Sequence, residues 1–124
     1  MHYSYGFAGN GAFVTCHIHD CRVDDDPKET FKKWSVLFKD PRYKVGETKV
    51  LMHFDDNCAY LNFEQIQQRS DYILQYKPAK LGIYVCDEIA METAKIGTSF
   101  LRSKGVAARV FNDLDKLFQW IEIG

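Results

Sequence analysis

No excess of one charge marks this chain. Sixteen basic residues stand against 17 acidic ones in 124, a net charge of −1. No positive field exists to gather phosphate backbones, so nucleic acid is not an expected partner. No apolar run approaches the ~20 residues of a membrane helix, and the protein is not expected to be membrane-embedded. The opening MHYSYGFAGNG has neither a basic start nor an apolar stretch, so no signal peptide is read there. A cytoplasmic location is the expectation. CxxC is missing, which removes thioredoxin-like redox chemistry. GxGxxG and GxxxxGK[ST] are missing too, which removes the usual nucleotide cradles. No repeat, low-complexity segment or linker interrupts the chain.

What is present points to a packed core. Hydrophobic residues make up 46% and aromatics 15%, too many for disorder, and the length suits a single domain over residues 1–124. From Lys49 onward a short apolar strand runs into an amphipathic helix three times. The units are KVLMHF into NFEQIQQRSDYIL, KLGIYVC into DEIAMETAKIGTSFLRSKG, and AARVF into NDLDKLFQWI. Strands alternating with helices build a parallel sheet covered by helices.

The first third adds a hairpin and a helix. Tyr3–Phe7 and Ala12–His19 read as strands around Gly9-Asn10-Gly11, where Asn-Gly favours a tight turn. Asp24, Asp25 and Asp26 before Pro27 suit a helix start. Phe31, Trp34, Leu37 and Phe38 follow at helical spacing, and the helix should stop near Asp40-Pro41. Asn62 with Gln65 forms a capping-box pattern, and Phe63, Ile66, Ile73 and Leu74 should face inward behind it. Asp87 should cap the third helix. Asn112 is the expected cap of the last, whose stripe is Leu114, Leu117, Phe118 and Ile121. The predicted order is β-β-α-β-α-β-α-β-α: an α/β fold with a mixed five-stranded sheet.

Ligands of open α/β sheets sit beyond the carboxyl ends of the strands. Those ends carry Asp55, Asp56, Asn57 and Cys58, then Cys86 and Asp87, then Asn112 and Asp113. Asp55, Asp56, Asn57, Cys58, Asp87, Asn112 and Asp113 are the binding candidates. An acidic rim could hold Mg²⁺, although helix capping and a solvated turn explain each residue separately. A phosphoacceptor site of the receiver type is rejected, because no lysine follows the later strands to partner a phosphoryl charge. A second cluster is Cys16-His17-Ile18-His19-Asp20-Cys21. His17 and His19 share one face of a strand, and Cys21 could join them on Zn²⁺. The spacing matches no common zinc module, and Cys16 points the other way, so a polar outer face accounts for the cluster as well. A fourth ligand such as His53 would have to come from elsewhere. No cofactor is expected.

In the order of its parts the chain resembles the SpoIIAA-like group of the STAS superfamily (STAS/SEC14-like). The carriers are Asp40-Pro41-Arg42-Tyr43 with Gly46, the strand Val50-Leu51-Met52-His53-Phe54-Asp55, and the tail Val110-Phe111-Asn112-Asp113-Leu114-Asp115 ending in Trp120. The likeness runs from about Phe31 to Ile121. It implies a bacterial regulatory domain without catalysis, acting through a protein partner or a small apolar ligand. In the better understood relatives a serine after the central strand is phosphorylated. Asp56 to Phe63 holds no serine or threonine here, so no phosphorylation site is expected. The alternatives are a metal-dependent enzyme using the acidic mouth and a lipid or small apolar ligand carrier. Ala90, Ala94 and Gly97 line one helix face, which makes a homodimer possible.

Overall fold

A computed structural model describes residues 2–19, 27–54 and 62–122. Five strands form one mixed sheet in the order β1-β2-β3-β4-β5. They are β1 His2–Ala8, β2 Phe13–His19, β3 Lys49–Phe54, β4 Lys80–Tyr84 and β5 Ala108–Phe111. Four helices alternate with them: α1 Pro27–Phe38, α2 Phe63–Tyr76, α3 Glu88–Ser103 and α4 Leu114–Glu122. β1 runs antiparallel to β2, and every later pair is parallel. The predicted element order and fold class are those observed.

Strand order equals chain order, so all three crossovers step the same way across the sheet. Right-handed crossovers of that kind put their helices on one face. On that face Val14, Cys16 and Ile18 of β2, Val50 and Met52 of β3, and Leu81 and Ile83 of β4 are buried with Trp34, Leu37, Ile73 and Leu101 of the helices. Each such side chain contributes roughly 1.5–3 kcal/mol by leaving water. Stacked rings join α1 to α2: Phe31 on Tyr72 at 4.6 Å and Phe38 on Tyr76 at 4.7 Å between centroids. Ala90 and Ala94 lie partly buried against the same core. A Cβ on Gly97 would lie 3.4 Å from Ile66 and 3.5 Å from Ser70. This small-residue stripe therefore packs on α2 of its own chain.

The opposite face has its own smaller cluster. Leu51, Leu117 and Ile121 are buried there, with Phe13, Tyr84, Phe111 and Trp120 partly buried around them. α4 supplies the cover, and it comes close because β4 carries Gly82. A Cβ at that position would stand 3.2 Å from two carbons of Leu117. Lys80 anchors the far end of α4, donating from Nζ to the Trp120 carbonyl at 2.7 Å.

Several local expectations change. The turn expected after β1 is a single 3₁₀ turn over Gly9–Gly11, and Gly9 and Gly11 have φ of 59° and 88°. Gly11 is forced twice over, since a Cβ there would sit 2.3 Å from the Arg42 carbonyl oxygen. Phe63 is 68% exposed, not inward. It occupies the first turn of α2, ahead of the buried stripe Ile66, Ser70 and Ile73. Phe118 is also exposed, at 40%, because Leu117 and Ile121 take the inner line of α4.

Candidate functional site

At the strand ends the described acids are structural. Asp87 caps α3: its Oδ1 accepts from the backbone N–H of Ile89 at 2.8 Å and of Ala90 at 3.1 Å. Asp113, not Asn112, caps α4, accepting from the N–H of Asp115 at 2.9 Å and of Lys116 at 3.3 Å. Asn112 is exposed beside it. Asp55, Asp56, Asn57 and Cys58 lie outside the described residues, as do Asp24 to Asp26 and Cys21. At the start of α2 the predicted capping box is present, Asn62 and Gln65 each accepting the other's backbone N–H at 2.9 Å.

A row of rings stands on the face that α4 covers. Register pairs His17 of β2 with His53 of β3, His53 with Tyr84 of β4, and Tyr84 with Phe111 of β5. Side chains paired across neighbouring strands share a face. His17 and His53 stack with centroids 4.2 Å apart and planes 10° from parallel. Tyr84 meets His53 edge to face at 4.6 Å. Its hydroxyl lies 2.9 Å from the sulfur of Cys86, which is exposed. Both histidines and the tyrosine are half-buried. The sequence places His17 on this face, but only the parallel register brings His53 beside it.

Beyond the row, toward β1, small side chains take over this face. Ser4, Gly6 and Ala8 of β1 pair with His17, Thr15 and Phe13 of β2. Ser4, Gly6, Ala8 and Thr15 are exposed. A Cβ built on Gly6 meets nothing within 4 Å. The other face of the hairpin is closed by Tyr5 and Phe7, which pack on the main core, and the Arg42 guanidinium lies 4.5 Å from the Phe7 ring centroid. Asp40 holds that arginine with a two-pronged contact, at 3.0 Å from Nε and 2.8 Å from Nη2. This pairing lowers the Asp40 carboxyl to about 2.

The cysteines divide by environment. Cys16 faces the core at 1% exposure, and burial pushes its thiol up to about 12. It is a packing residue. Arg69 is a buried cation that the helical pattern did not single out, at 6% exposure on the inner side of α2. Its Nη1 donates to the Gln65 carbonyl at 3.3 Å.

Among the described residues no three His, Cys, Asp or Glu side chains are grouped to hold a metal ion. No described helix is long and apolar enough to cross a membrane. No family model, curated protein or solved structure matches the chain.

Proposed function

We propose that the chain is a regulatory domain that works by binding a protein partner, without catalysis of its own. The observation that carries this reading is the sheet face over β1 and β2, exposed at Ser4, Gly6, Ala8 and Thr15 and bordered by His17 and His53. Small-molecule sites are concave and enclose most of their ligand. This surface is exposed and built mostly of small side chains, which leaves a second macromolecule room to approach it. Capping also accounts for Asp87 and Asp113, which weakens the case for an enzyme working from an acidic mouth.

The likeness of Asp40–Tyr43, Val50–Asp55 and Val110–Asp115 to the SpoIIAA-like group of the STAS superfamily belongs to the same proposal. An α/β sheet with one antiparallel strand supports that kinship, and with it a role in the bacterial cytoplasm.

Native mass spectrometry of the chain, purified gently from a bacterial host, tests the reading. A protein bound without covalent linkage, and lost on substituting Thr15→Arg or Gly6→Arg, is the expected result. A complex indifferent to both substitutions would move the interface elsewhere. Turnover that survives repurification and disappears in Asp87→Asn would replace the reading with an enzyme.

A further inference from the structure

The chain has four histidines, and the sheet gathers all four positions at one corner. β3 sets His53 opposite His17. His19 lies two residues beyond His17 on β2, and β1 sets His2 opposite His19. Residues two apart on a strand fall on one face, as do cross-strand partners. Positions 2, 17, 19 and 53 therefore share the face that carries α4, at the carboxyl ends of β2 and β3. A solvated strand face asks only for polar side chains, and serine or threonine would serve at each position. Filling all four with imidazole calls for a more specific cause.

We propose that this corner binds a late first-row divalent ion of the Zn²⁺ or Cu²⁺ class, with His17 and His53 as the central pair of ligands. Neutral imidazole is a preferred ligand for these ions. Each ring offers two nitrogens, so one can hold the ion while the other keeps a hydrogen-bond partner that orients the ring. In the stack the ring planes are nearly parallel. A turn of each ring about its Cβ–Cγ bond aims one nitrogen of each at a shared ion. Binding thus replaces the stack rather than adding to it. Water completes the coordination. The site is independent of the partner-binding reading, since an ion can sit there with or without a protein on the face over β1 and β2.

Calorimetric titration of the intact chain with Zn²⁺ is the test. One ion per chain is expected at neutral pH. Replacing His17→Gln or His53→Gln should weaken it about tenfold or more, at least the loss that follows removal of even a supporting residue. No binding at millimolar Zn²⁺ would overturn the proposal. So would binding that is unchanged in the double variant, or that is lost in Cys86→Ser instead. Electron paramagnetic resonance of the unmodified chain with Cu²⁺ gives an answer independent of the variants' folding. Hyperfine structure from two or more imidazole nitrogens is expected, and a spectrum without it would overturn the assignment.

Discussion

Thr48 shows how much one side chain can hold. It is fully buried, donates from Oγ1 to the Gly11 carbonyl at 2.9 Å, and accepts the Lys44 N–H at 2.8 Å. Thr48→Val keeps the shape but strands both backbone groups, and should cost about 1–3 kcal/mol in a denaturant titration. Gly11→Ala should cost at least as much, because the backbone must shift to clear Arg42. At Asp40 the folded carboxyl titrates near 2, below the roughly 3.9 of an unfolded aspartate. Its contribution to stability is thus complete above pH ~4 and lost as pH falls toward 2. Asp40→Asn should flatten acid unfolding curves in that window. The thiols should separate in native alkylation: Cys86 reacts, while Cys16, buried and pushed up to about 12, is protected until the chain unfolds.

At the level of elements, most of the architecture was legible in the sequence. Period-two strands, period-3.6 helices and the Asn62 and Asp87 caps are local signals, and local signals survive folding. Asn112 and Asp113 are neighbours with equal capping chemistry, so only the backbone of α4 could choose between them. Phe63 reads as core because it is apolar at helical spacing, yet the first turn of a helix can overhang what it packs on. Gly82 carried no signal at all. Its purpose depends on which helix crosses β4, a tertiary fact. Gly82→Val should drive Leu117 and α4 away from the sheet at a cost of about 1–3 kcal/mol from overpacking. Near-UV circular dichroism would show it, since Trp120 rides on that helix 5.6 Å from Phe111. The left-handed C-cap Lys77, with φ 40° and ψ 67°, predicts the opposite sign. Lys77→Gly should stabilise by ~0.5 kcal/mol, strain relief exceeding the added chain entropy.

Across the whole molecule the two faces of the sheet are unequal. Among the described residues three helices close one face and the nine-residue α4 serves the other. The sequence offered His17 and His53 as candidates but could not set them side by side or add Tyr84, because parallel strands far apart in the chain must first be aligned and no local pattern encodes that alignment. Leu117→Ala, which cuts into the smaller cluster, should cost 2–5 kcal/mol, roughly the range for buried leucines, and hydrogen exchange should quicken first in β4 and β5.

Each strand pairs with the one made just before it. A chain leaving the ribosome can therefore add one strand and helix at a time to a sheet that already exists, with no early strand held waiting for a late partner. α4 is the exception. Leu51 and Phe13 belong to a cluster that α4 closes, so a nascent chain stalled before Leu114 would expose a sticky apolar face to chaperones until α4 is made.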